Sequence, residues 1–147
     1  MKNANKILRY STKEMYDFID ITTEVENFVT ETKIKNGLVN VQIFHTSAAL
    51  IINEYEPLLL EDIKRNLEEC SSCNLDYRHD DFSVRTVNLC ENECDNGHSH
   101  CKAIHLASNA VFNLIDGKLQ RGQYQNIILL ELDRPRPRQV QIMIIGE

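Results

Sequence analysis

The chain has 147 residues, 42% of them hydrophobic and 26% charged, with a formal net charge of −6. That length supports one domain, residues 1–147, with a substantial core. The acidic balance argues against nucleic acid as a partner, and no apolar run is long enough to cross a bilayer.

The opening MKNANKILRYSTKE has neither an apolar signal core nor a cleavage site. Five cysteines, an odd number, fit a reducing compartment better than a disulfide scaffold. A cytoplasmic location is therefore expected. Two β-prone runs, Ile7–Thr12 and Met15–Ile21, flank Lys13–Glu14, and a turn there would make them a hairpin. Thr23-x-x-Glu26 has the form of a capping box. Val25, Phe28, Val29 and Thr32 follow at helical spacing, with Gly37 as the stop. Leu38–Phe44 and Ala48–Ile52 read as strands.

Pro57 suits the first position of a second helix, where its missing N–H costs nothing. Leu60, Ile63 and Leu67 would form that helix's buried stripe, with Asp62 beside it. Cys70–Glu93 shows no period and reads as a long connection. A third helix is expected over Ser99–Ala110. Strands are expected at Val111–Ile115, Gln125–Leu132 and Gln139–Ile145, with Asp116–Gly117 as a turn. Runs of strands broken by helices indicate an α+β fold rather than a doubly wound sheet.

Five histidines are few, yet two fall within DNGHSH, and His45 and His79 sit in polar settings, FHTSAALIINE and YRHDD. Imidazole is the side chain best suited to proton transfer and metal ligation near neutral pH. Asp80 and Asp81 would favour the charged form of His79. His98 and His100 are two apart, so one helix would turn them in different directions. Asn53 and Glu54 end a strand and would line the same cleft as His45; the alternative is that they make turn and cap contacts before Pro57. Ser47 is a weak candidate nucleophile, because there is no G-x-S-x-G elbow. Cys70-x-x-Cys73, Cys90, Cys94 and Cys101 could suggest a zinc site, but their spacing does not match a zinc ribbon.

The blocks HTSAALIINE, YRH, DNGHSHCKA, DGKLQRGQYQ and ELDRPRPR resemble the YjbQ family, sometimes called secondary thiamine-phosphate synthases. The likeness runs from about Ile43 to the C-terminus. It implies an α+β fold with a β-sandwich core and flanking helices, a homotrimer, and a histidine-lined site. Counting back from Asp116–Gly117, His100 matches the family histidine better than His98, and His105 falls on an apolar position. Asp62 matches an acidic position, and Gln125 is the part of Gln123-Tyr124-Gln125 that matches. Arg121 and Arg134 depart from the family pattern, Arg134 standing for a glycine, while Glu131, Asp133, Pro135, Arg136 and Arg138 agree with it.

The resemblance implies a thiamine-phosphate synthase-like transferase acting on small phosphorylated molecules. His45, Ser47, Asp62, His79 and His100 would form its catalytic group, and Asn53, Lys102, Gln125 and Arg138 would bind substrate. Three neutral imidazoles, His45, His79 and His100, could hold a divalent ion, zinc or magnesium, with one open position; otherwise no cofactor is expected. The alternatives are a non-catalytic metal or small-anion binding protein and a metal-dependent hydrolase.

Overall fold

A computed structural model describes residues 1–147. Eight strands form two antiparallel sheets, accompanied by three helices and one 3-10 turn. In chain order these are β1 (Lys2–Ser11), β2 (Phe18–Asp20), α1 (Thr22–Thr32), β3 (Gly37–Ile43), β4 (Ala48–Asn53), α2 (Pro57–Cys70), the 3-10 turn Arg78–Asp80, α3 (Gly97–Ala103), β5 (Asn109–Ile115), β6 (Lys118–Leu119), β7 (Asn126–Glu131) and β8 (Pro137–Gly146). One sheet has the order β1-β8-β3-β5-β6 and the other β2-β7-β4. No helix is long and apolar enough to cross a membrane.

The core explains the layering. Val39, Val41, Phe112, Leu114, Val140, Ile142 and Ile144 alternate along the five-stranded sheet, as period-2 strands with one buried face must. They meet Leu50, Ile127 and Leu129 of the smaller sheet, together with Val25, Phe28 and Val29 of α1. The smaller sheet is buried on its other face as well. There Phe18, Ala49, Ile128 and Leu130 pack on Leu67, Leu60 and Ile63 of α2. Strands buried on both sides read as unbroken apolar runs, as in Ile127–Leu130.

Several expected details change. The first two strands do not form a hairpin: β1 pairs along its whole length with β8, and β2 pairs with β7 in the other sheet. Residues 12–17 cross between the sheets, with Tyr16 at φ 64°. The capping box is not made. Thr22 opens α1, and the Asp20 carboxylate accepts its N–H at 3.0 Å, while Glu26 pairs with Arg121 at 2.8 Å. Lys33, left-handed at φ 57°, ends α1 instead of Gly37. Glu56 caps α2 by accepting from Leu58 and Leu59 N–H at 3.0 and 2.8 Å, with Pro57 at the first position as expected.

The third helix stops at Ala103, seven residues short of the expected Ala110. Backbone pairing takes over: Leu50 N–H donates to Ala107 O at 2.8 Å and Ile43 N–H to Ser108 O at 2.9 Å. At the β5–β6 turn, Asp116 and Gly117 have φ of 51° and 75°, the signs a two-residue I′ hairpin requires.

Candidate functional site

Three segments meet beside the open end of the smaller sheet: the His45–Ser47 link between β3 and β4, the 3-10 turn bearing His79, and α3 bearing His100. The link is anchored from below by a buried ion pair. Arg138 donates through Nε and Nη2 to Glu131 at 2.7 and 2.5 Å. Its Nη2 also donates to the Ser47 hydroxyl and carbonyl at 3.1 and 3.2 Å. Glu131 further accepts from the Thr12 hydroxyl and from the N–H groups of Leu132 and Asp133. This knot ties β1, β4, β7 and β8 to the Asp133–Arg136 turn. It also corrects two expectations. Arg138 is buried as a structural cation rather than open to substrate. The Ser47 hydroxyl is held by a guanidinium, with no histidine base bonded to it.

His79 and His100 come together, their ring centroids 4.8 Å apart and their planes at 61°. Asp80 fixes the contact: its carboxylate accepts from Asn96 and Gly97 N–H, each at 2.9 Å. The 3-10 turn is thereby clamped to the start of α3. A Cβ at Gly97 would lie 2.5 Å from Tyr77 Cβ, so this approach requires glycine. Burial pushes the His100 pKa below its ordinary value, and the neighbouring His79 acts in the same direction.

His45 lines a neighbouring cavity together with His100, but its ring is engaged elsewhere. Its Nε2 accepts the Gln139 N–H at 2.8 Å, and burial followed by the Arg138 charge lowers its pKa. His98 faces inward. Lys102, whose ammonium has no lone pair, donates to His98 Nδ1 at 3.1 Å, so that nitrogen is the acceptor of a neutral ring. His100 is therefore the histidine on the open side of α3. Within the chain no three His, Cys, Asp or Glu side chains come together in a group that could hold a metal ion. The expected His45–His79–His100 metal set is not assembled, because His45 is turned to β8. A zinc site from the cysteines is not assembled either; all five are free.

The other expected residues lie elsewhere. Asp62 pairs with Arg65 at 2.8 Å on the solvent side of α2. Asn53 is exposed and accepts the Glu54 N–H at 2.8 Å. Both line a separate depression beside α2. Gln125 closes its own turn by accepting the Gly122 N–H at 2.7 Å. Lys102 is completely buried, with Nζ 2.9 Å from Glu68. Each is held by neighbours that satisfy it locally, so none reaches the histidine pair.

A cavity of about 400 Å³ opens beside His79 and His100, with Thr46 and Ser47 on one wall. Arg134 and Arg136 line another, each paired with Asp133, at 3.2 and 2.9 Å. The roof is the irregular segment from Arg85 to Glu93. Arg85 braces it by donating to the carbonyls of His79, Val87 and Asn88. Sequence reading missed Arg85 and Asn96 in this cavity. Arg85 carries no periodic signal, and Asn96 looks like part of a turn. Arg134 and Arg136 did leave a trace, since alternate positions share a face.

The family model described as UPF0047 protein YjbQ-like matches residues 6–147. The chain belongs to the YjbQ-like UPF0047 family. A UPF0047 protein of Archaeoglobus fulgidus is 37% identical over 133 residues, covering 90% of this chain and 94% of its own. One from Methanothermobacter thermautotrophicus is 32% identical, covering 92% and 87%. A crystal structure of a YbjQ-like protein of unknown function from Sulfolobus solfataricus superposes with a TM-score of 0.88 at 35% identity, covering 99% of both chains. These relatives correct the expected activity. The family is one of unknown function, and none of these relatives is named as a thiamine-phosphate synthase, so the expected transferase activity does not stand.

Proposed function

We propose that the chain binds a small oxyanion, a phosphate monoester being the best chemical match, in the cavity beside His79 and His100. One observation carries the reading. Arg85, Arg134 and Arg136 line this cavity beside His79 and His100, against two carboxylates, Glu91 and Glu93. The Arg134 and Arg136 side chains keep 36% and 31% of their surface open, so their guanidinium groups are within reach of an anion in the cavity.

The chemistry of those groups selects the ligand. Arg136 Nε lies 2.9 Å from Asp133 Oδ2, and its Nη groups make no side-chain hydrogen bond within the protein. Guanidinium groups match phosphate oxygens in paired fashion. His100, whose pKa burial lowers, can exchange a proton beside a bound anion.

The test is thermal unfolding in sodium phosphate against sodium chloride of equal ionic strength. Phosphate at 100 times its Kd would add about 2.7 kcal/mol, a rise of roughly 5–10 °C for a chain of this size. Arg136→Ala should remove the rise. No phosphate-specific rise in the unsubstituted protein would overturn the reading.

Two further expectations stand as proposals. Self-association through the outer face of the five-stranded sheet is supported by its surface, where Leu38, Val111, Met143 and Ile145 line a shallow depression edged by Glu147. A reducing cytoplasm is supported by five free cysteines, four of them exposed.

A further inference from the structure

A second cavity, also about 400 Å³, lies across the Thr46–His100 wall from the first. Its character is more apolar: Ala48, Ala103, Ile104 and Ala107 supply half of its lining residues, with His45, Thr46, His100 and Ser108 the rest. Thr46 and His100 line both cavities, and Thr46 is exposed, so it forms the rim between them. The walls are fixed by a backbone bond, Leu50 N–H to Ala107 O at 2.8 Å, and by the His45 ring, whose Nε2 accepts the Gln139 N–H at 2.8 Å. Ile104, at the mouth, is 78% exposed. A large aliphatic side chain left open beside a polar site is a surface that a ligand could cover.

We infer that the two cavities are halves of one site, and that the ligand is an amphipathic phosphate ester, its phosphate beside Arg134 and Arg136 and an apolar group, one ring or a short alkyl chain, against Ile104 and Ala107. The ester linkage then crosses the Thr46 rim next to His100. This rests on the oxyanion reading of the first cavity and adds what the remainder of the ligand must be. A purely polar ester would leave the second cavity without a partner. A ligand with only an apolar group would leave the Arg134 and Arg136 guanidinium groups of the first cavity without an anion.

Calorimetric titration of the full chain with inorganic phosphate, methyl phosphate and phenyl phosphate separates the possibilities. Phenyl phosphate should bind at least about tenfold tighter than methyl phosphate, the gain from burying roughly 60 Å² more apolar surface. Ala107→Leu fills the second cavity and should bring phenyl phosphate down to the methyl level. Ile104→Asp puts a carboxylate at the mouth and should do the same, so a folding failure in one variant leaves the other to decide. Equal affinity for the two esters, with phosphate still bound, overturns this inference and leaves the oxyanion reading standing. Failure of all three ligands to bind overturns both. Phenol binding as tightly as phenyl phosphate would separate the two cavities and also overturn it.

Discussion

The Glu68–Lys102 pair should be asymmetric: Glu68→Gln should destabilise the fold far more than Lys102→Met. Lys102 is 0% exposed, whereas the Glu68 side chain retains 30% exposure. At 2.9 Å and an effective dielectric of about 20, the gross attraction is about 6 kcal/mol. Glu68→Gln removes the carboxylate and strands the buried ammonium. The amide oxygen still accepts a charge-assisted bond worth about 1.5–3 kcal/mol. The net loss is then about 3–4 kcal/mol, in line with other broken buried pairs. Lys102→Met removes the ammonium itself. Glu68 then keeps the Tyr16 hydroxyl, the Cys73 N–H at 3.0 Å and contact with water, and the main cost is the buried His98 Nδ1 left without its donor, about 1–2 kcal/mol. Urea unfolding at pH 7 measures both values. If Lys102→Met were as damaging as Glu68→Gln, the argument from unequal solvation would be wrong.

The same pair sets a pH dependence. Burial alone would raise the Glu68 pKa, but hydrogen bonds from Tyr16, Lys102 and the Cys73 N–H outweigh it and hold the group at about 2 against an ordinary 4.5. A depressed carboxylate stabilises the fold above its unfolded pKa and loses that contribution as pH falls through the folded one. The stability gap between the unsubstituted chain and Glu68→Gln should therefore be full at neutral pH and narrow steadily from pH 4.5 towards 2.

Other outcomes follow from the site's scaffold. Asp80→Ala releases the Asn96 and Gly97 N–H groups and should cost about 1–3 kcal/mol while weakening phosphate binding in calorimetry. Gly97→Ala drives a Cβ to 2.5 Å from Tyr77 and should destabilise by about 1–3 kcal/mol, read by the urea midpoint. Cys70→Ser with Cys73→Ser should change the melting temperature little, since both thiols are exposed and free. Light scattering at micromolar concentration should give a mass above one chain, and Val111→Glu, in the apolar depression of the outer face, should lower it towards a monomer.

Among the histidines, sequence reading singled out His45, His79 and His100 by their polar blocks, and the structure keeps His79 and His100 together. It could not foresee His45 bonding to Gln139, a neighbour created by the β3–β8 register. Lys102 was misread for a related reason. It lies on a short helix in a polar block, and only the Glu68 carboxylate, 34 residues away in sequence, turns it inward. Asp62 was expected to face the cleft because it borders the apolar stripe of α2. An exposed Arg65 three residues on satisfies it instead.

Local chemistry determined by itself the α2 start at Pro57, the Asp116–Gly117 turn, the strand runs of β3, β4, β5, β7 and β8, and, through the motif blocks, the family. Each depends on residues within about one turn or one strand of each other. Strand partners, the length of α3, the burial of Arg138 and Lys102, and the cavity itself depended on contacts between distant segments. Those contacts are decided by which apolar faces close together in three dimensions. The polar groups then take whichever partners that closure brings within reach, and the arginines and histidines it gathers around one cavity form the candidate site.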